Sequence, residues 1–219
     1  MIRAAIFDLD GTLLDSNPYW DKAPEAYLAS VGVTAEPGIG KTIFAMTLPE
    51  AVEYLRRTYG LSQTGQEITH GVNAMMERFY LREVPVKEGI PALLDALNDR
   101  GLAMMVASVT DRSLVETVLR RHGLLERFAG VITTDEVGKG KQEPDIYLQA
   151  AERLGCAPGE VLVFEDALHA LRTAKKAGFP VVGVFDEASR EVWEEIRAVS
   201  DWNLPDFSNL DGLLAAMEQ

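Results

Sequence analysis

Cysteine is almost missing from this chain of 219 residues. Cys156 stands alone, so no disulfide can close within the chain and a metal centre built on several thiolates is excluded. That scarcity predicts a reducing, cytoplasmic setting. Positive charge is short as well: 21 Lys and Arg against 34 Asp and Glu give a formal net charge of −13, which argues against wrapping nucleic acid or lying on an anionic membrane. An anionic partner would have to be met by local groups. No stretch approaches the about 18 uninterrupted apolar residues of a membrane span, and the apolar run after Arg3 is too brief for the hydrophobic region of a signal peptide. Internal repeats and low-complexity tracts are absent too. The three histidines, His70, His122 and His169, have no ligand spacing, which favours core or surface roles for each.

What is present gathers first near the amino terminus. The run Ala4-Ala5-Ile6-Phe7 reads as a short buried strand, and Gly11 marks the point where the chain must turn. Asp8 and Asp10 then fall at the carboxyl end of that strand, where ligands bind in open α/β sheets. Residues two apart on extended backbone point the same way, so both carboxylates face one small volume. Two like charges that close need a cation between them or a proton on one of them. A calcium loop is ruled out, because Thr12-Leu13-Leu14 returns to apolar residues where further oxygen ligands would stand.

Downstream the chain changes character twice. Between 15 and 85 the prolines Pro18, Pro24, Pro37 and Pro49 punctuate segments of helical periodicity, and no convincing strand occurs. Ala51, Val52, Leu55 and Tyr59 recur at helical spacing, as do Val72, Met75, Met76 and Phe79. From Pro91 onward helix and strand alternate. Strands are expected over Leu102 to Val106, Val131 to Thr133, Val161 to Phe164, Val181 to Phe185 and Trp202 to Leu204. Helices are expected around Ala92 to Leu97, Leu114 to Leu119, Ile146 to Leu154, Leu168 to Ala177 and Leu210 to Met217. Alternation with short connections implies right-handed crossovers and a parallel sheet covered on both faces. The fold class is therefore α/β, a Rossmann-like three-layer core over 1–14 and 86–219, with a small all-helical insertion over 15–85. An insert placed directly after the two aspartates reads as a lid; a helical layer packed permanently on the core is the alternative.

Polar residues suited to phosphoryl transfer stand where strands end. The first strand ends in Asp8 and Asp10, the second in Ser108 and Thr110, and the fourth in Glu165 and Asp166; the third leads into Lys139-Gly140-Lys141-Gln142-Glu143-Pro144-Asp145. Each alone has a plainer reading. Ser108 is a strand-end hydroxyl, the lysines are solvated loop charges, and Glu165-Asp166 is a helix cap. Their joint order lifts the functional reading.

That order resembles the haloacid dehalogenase superfamily, β-phosphoglucomutase-like branch, along the whole chain. Its D-x-D-G-T motif is Asp8 to Thr12, its Ser/Thr motif fits Ser108, its lysine motif fits Lys141, and its acidic motif fits Glu165-Asp166. The helical insert resembles the family's type-one cap. The resemblance implies that Asp8 is a nucleophile forming an aspartyl-phosphate, that Asp10 serves as general acid and then base, and that Lys141 offsets the charge of Asp8 and the phosphate. It also implies Mg²⁺ held by Asp8, the backbone carbonyl of Asp10 and the acidic pair Glu165-Asp166. Ser108 and the turn amides at Val109 would hold phosphate oxygens. Lys41 in the glycine-rich loop would contact the rest of the substrate, with a solvated lysine an equal reading, and Trp20 would line the substrate pocket, where an aromatic packing cluster at the cap hinge is the favoured reading. Gly38-Ile39-Gly40-Lys41-Thr42 is no P-loop, since Ala35 stands where that motif needs Gly and no strand precedes it.

The expected activity is Mg²⁺-dependent hydrolysis of a small phosphorylated metabolite. A phosphomutase is the alternative, disfavoured because Trp20 stands where the mutases carry a histidine; a non-catalytic phosphate binder is a third possibility, disfavoured by the intact acidic and lysine motifs. Dehalogenation proper is disfavoured by Asp10. Neither a particular substrate nor an oligomeric state is written in the motifs.

Overall fold

The computed structural model describes residues 1–44, 46, 48–208 and 210–216. It divides into two compact units, one formed by Met1–Asp15 with Pro85–Gln219 and the other by Ser16–Val84.

The larger unit is built on six strands, β1 (Ala4–Phe7), β2 (Ala103–Ser108), β3 (Gly130–Thr133), β4 (Val161–Glu165), β5 (Val181–Val184) and β6 (Trp202–Leu204). They pair in parallel throughout, in the order β3-β2-β1-β4-β5-β6. The Rossmann-like α/β expectation is met. Strands β1 and β4 are buried along their whole lengths, as near-continuous apolar runs are when helices cover both faces of a parallel sheet. Phe7 and Phe164 are register partners on these two strands, and their rings stack at 4.3 Å. One core layer gathers Ile6, Met105, Ile132, Ile146, Tyr147 and Leu171, all with at most 4 % of their surface exposed.

Chain order runs from β1 outward to β3 on one side and then returns to β4 on the other. The switch point lies beside β1, which puts a crevice at its carboxyl end. There the backbone turns sharply: Gly11 has φ 84°, a conformation open to glycine at little cost, and its amide donates to the carbonyl of Leu14 at 2.9 Å. The outgoing and returning chains are stitched together within this unit. The Asp15 amide donates to Pro85 O and the Lys87 amide to Leu13 O, each at 3.0 Å.

The smaller unit holds four helices, α1 (Asn17–Ser30), α2 (Ile39–Phe44), α3 (Leu48–Thr58) and α4 (Gly65–Arg82), and no strand among the described residues. Tyr27, Leu28, Ile39, Leu55, Leu61 and Ile68 form its core. Pro24 behaves unlike a break. It lies inside α1, and although proline there removes one backbone bond, its own ring is buried with Ala23, Tyr27 and Leu28.

In the larger unit, the helices Ile90–Asp99, Arg112–Arg121, Asp145–Arg153 and Leu168–Lys176 match the expected elements within a few residues. The closing helix covers Asp211–Ala216; Met217, expected to end it, lies outside the described residues. Helix Trp193–Val199 has no counterpart among the expected elements.

Candidate active site

Register delivers the acidic residues to one place. Because Phe7 pairs with Phe164, the next residues on each strand leave the sheet side by side, and the Asp8 amide donates to Phe164 O at 3.0 Å. One carboxylate oxygen from each of Asp8, Glu165 and Asp166 lies within 4.8 Å of the other two. All three residues are buried.

Lys141 enters from the loop after β3 and is itself 5 % exposed. Its Nζ donates to Asp8 Oδ1 and, at 2.5 Å, to Glu165 Oε1. Glu165 Oε1 also accepts from the Tyr147 hydroxyl at 2.8 Å. Asp166 Oδ1 accepts from the Thr12 hydroxyl at 3.0 Å. On the other flank of β1, Ser108 is fully buried and its Oγ accepts from the Thr110 amide at 3.0 Å. By accepting there, Ser108 keeps its own proton for a further acceptor. The Thr110 hydroxyl donates to Asp10 Oδ2 at 2.8 Å.

Electrostatics explains why this arrangement calls for a cation. Three buried carboxylates face one ammonium, which leaves two negative charges if all four groups are ionised. Burial pushes the Asp8 carboxyl up to about 8, with Glu165 and Asp10 adding to the rise and Lys141 opposing it. Asp166 is also held well above the usual carboxylate range, by burial and then by its neighbours Asp8, Glu165 and Asp186. For Lys141, burial works against the charge, but Asp8 and Glu165 outweigh it and hold the ammonium above its ordinary value. Protonation is one relief for crowded carboxylates; a divalent cation is the other. An all-oxygen donor set with excess negative charge fits a hard dication such as Mg²⁺.

The expected site residues divide between the two units. In the sheet unit, Asp8, Lys141, Glu165 and Asp166 are brought together by the contacts above, and Asp10 and Ser108 are joined through Thr110. Val109, 59 % exposed, sits between Ser108 and Thr110. Trp20 and Lys41 belong to the helical unit. Trp20 is half-buried, packs edge-on against Tyr80 with ring centroids 6.5 Å apart, and lines an apolar cavity of about 320 Å³ with Pro24, Ile43, Leu55 and Val72. Lys41 is exposed on α2.

Three groups went unnoticed in the sequence. Asp186, fully enclosed after β5, accepts from Lys87 Nζ at 2.7 Å; the polar strand-end signal that marked the other acids also applies to it. Thr12 lay inside the aspartate motif without a role. Tyr147 carried no polar signal at all, since a tyrosine on the buried face of a helix reads as core.

An acidic cluster with a buried lysine thus lies at the switch point of a parallel sheet, where open α/β folds bind their ligands. The family model for haloacid dehalogenase-like hydrolases matches residues 2–178. Among curated sequences, the chain is 34 % identical to YhcW of Bacillus subtilis over 185 residues, covering 83 % of each protein. It is 27 % identical to a phosphorylated carbohydrates phosphatase of Thermotoga maritima over 177 residues, 81 % of this chain and 82 % of that one. Among solved structures, CbbY of Rhodobacter sphaeroides in complex with phosphate superposes with a TM-score of 0.83 at 26 % identity, across 100 % of both chains. The chain belongs to the haloacid dehalogenase-like hydrolases, in the branch that includes β-phosphoglucomutase. Family and relatives together support a phosphoric monoester hydrolase.

Proposed function

We propose that this protein is a Mg²⁺-dependent phosphatase that hydrolyses a small phosphomonoester, of the phosphorylated-carbohydrate kind, through an aspartyl-phosphate on Asp8. The observation that carries the reading is the contact of Lys141 with Asp8 inside the Asp8–Glu165–Asp166 cluster. A carboxylate nucleophile attacking an anion needs positive charge beside both, which Lys141 and a cation in the acidic cluster would supply.

Asp8 Oδ attacks phosphorus as the ester oxygen leaves, and Asp10 gives that oxygen a proton. Asp10 then takes a proton from the water that attacks the aspartyl-phosphate, which frees phosphate and restores both carboxyls. Lys141 opposes the rise that burial imposes on Asp8 and holds that carboxyl in place, while Glu165, itself bonded by the Tyr147 hydroxyl, takes a second hydrogen bond from the ammonium. The Ser108 hydroxyl and the amide of Val109 take phosphoryl oxygens. Asp8, Asp166, Glu165 and the Asp10 carbonyl form the donor set for Mg²⁺, which when bound neutralises the phosphoryl charge. Trp20 and Lys41 contribute to selecting the non-reacting part of the substrate. The helical unit acts as a cap.

Phosphate release from a panel of sugar phosphates, assayed with Mg²⁺ and with EDTA, tests the reading. Asp8→Asn should cut turnover by on the order of 10³-fold or more, as loss of a nucleophile does; turnover that survives it, or that ignores EDTA, would falsify the mechanism. A bisphosphate-primed mutase predicts instead that release stays negligible and that a sugar monophosphate is isomerised only when bisphosphate is added.

A further inference from the structure

Asp10 must hold its carboxyl in one orientation to serve as the acid, yet it lies half-buried on a turn after the strand has ended. A short carboxylate there can rotate about two bonds. A restraint on it comes from a residue 100 positions away: the Thr110 hydroxyl donates to Asp10 Oδ2 at 2.8 Å.

Thr110 is well placed to act as a fixed post. It is only 6 % exposed, and it lies two residues past Ser108, the fully buried end of β2. Strand β2 is paired in register with β1, Val106 beside Phe7, so the two chain ends leave the sheet as neighbours. The Thr110 backbone is tied down in turn, because its amide donates to Ser108 Oγ at 3.0 Å. One continuous chain of hydrogen bonds therefore runs from the proposed phosphate-binding hydroxyl, through Thr110, to the proposed acid.

We infer that Thr110 is a positioning residue: its hydroxyl pins one oxygen of Asp10 and so aims the carboxyl at the leaving oxygen, coupling the acid to the Ser108 phosphate site. The inference rests on the phosphatase reading above. In the step it serves, the proton passes from Asp10 to the ester oxygen while the P–O bond breaks and the bond from Asp8 to phosphorus forms. Thr110 loses and gains nothing; it only orients.

Orientation of an acid matters in proportion to how badly the leaving group needs a proton. Alkyl esters such as glucose 6-phosphate and glycerol 2-phosphate leave as poor alkoxides without one. 4-Nitrophenyl phosphate releases a stabilised phenolate and needs almost none. The telling quantity is kcat/KM, which reports transfer to Asp8 rather than the later hydrolysis. For Thr110→Val, which keeps the branched shape and removes the hydroxyl, kcat/KM should fall about 10–100-fold on the alkyl esters, in line with the cost of a misaimed catalytic group. On 4-nitrophenyl phosphate the loss should stay within about 3-fold. Thr110→Ser should recover most of the alkyl activity. If Thr110→Val prevents folding, as read by circular dichroism, Thr110→Ala is measured by the same ratio. Equal losses on both substrate types, or an unimpaired Thr110→Val variant, overturn the inference while leaving the phosphatase standing. A native enzyme inactive on both types with Mg²⁺ present overturns the phosphatase reading and this inference with it.

Discussion

The sheet unit and the helical unit bury different things. The sheet unit takes five charged side chains out of water, Asp8, Lys141, Glu165, Asp166 and Asp186, whereas among the described residues the helical unit buries none. Burying a charge is costly unless it is paired, so a fold keeps such groups only where they are matched or used. The helical unit carries no such load. Its core of Tyr27, Leu28, Ile39, Leu55, Leu61 and Ile68 is an ordinary apolar seam, and what distinguishes it is the cavity beside Trp20. The buried charges are concentrated in one unit and the apolar cavity lies in the other. Lesions in the two units should therefore fail in different ways.

The harshest way to expose the contrast is to remove the one ammonium in the cluster. Lys141→Met leaves Asp8 and Glu165 facing each other without their shared partner. Stripping one member of a buried ionic group costs about 3–5 kcal/mol. Part of that cost is relieved when the carboxyls take up protons, which itself blocks nucleophilic attack by Asp8. Chemical denaturation should show the loss of stability, and phosphate release should fall to background. A Lys141→Met variant with native stability would mean that the carboxylates are already protonated and that Lys141 is not what balances them.

A milder perturbation leaves the sequence alone and changes only pH and metal. The Asp8 carboxyl is raised from an ordinary value of 3.8 to about 8 by burial, and Asp166 is raised in the same direction. A group that titrates higher in the folded state favours folding below its unfolded value, and that contribution is lost as pH climbs through the folded value. In EDTA the melting temperature should therefore decline as pH rises from about 5 to about 8.5. Excess Mg²⁺ should cancel or reverse the decline, because ionised carboxylates are what bind it. Asp8→Asn should flatten the EDTA curve. A flat curve for the native protein would separate the acidic cluster from the stability of the sheet unit.

The same contrast governs what could be read from sequence. The strand-end aspartates, Ser108 and the Glu165-Asp166 pair stand out because each is polar at the end of an apolar run, and parallel pairing leaves little choice about where such residues go; Lys141 lies in a loop and stands out only through the lysine motif. Asp186 fits that pattern but stands out less, because its segment matches no motif. Tyr147 and Thr12 are hidden for another reason: their hydroxyls act through partners 18 and 154 residues away, and no local spacing encodes a contact of that range. In the helical unit the periodicities of α3 and α4 are plain. Helix α1 is obscured by Pro18 and Pro24, although Pro18 sits in the first turn, where its missing amide costs nothing. The cavity depends on how four helices meet, which periodicity does not specify.

The smallest effect expected belongs to the helical unit and tests whether it answers for its own stability. Helix α4 begins with a reciprocal cap: Thr64 Oγ1 accepts from the Glu67 amide at 3.3 Å, and Glu67 Oε2 accepts from the Thr64 amide at 2.8 Å. Two amides that the helix cannot satisfy internally are thus paired. Thr64→Ala breaks the forward bond and should cost about 1 kcal/mol. If the two units divide labour as their buried charges suggest, hydrogen exchange should quicken along α4 and the α1 surface packed on it, while amides of β1 and β4 keep their protection. The kcat/KM for 4-nitrophenyl phosphate, and any dependence of it on Mg²⁺, should be unchanged within about 2-fold, because effects of independent sites add without coupling. Exchange that quickens equally in the central strands would show one cooperative body, and the separation of chemistry from shape would then be a feature of composition with no counterpart in energetics.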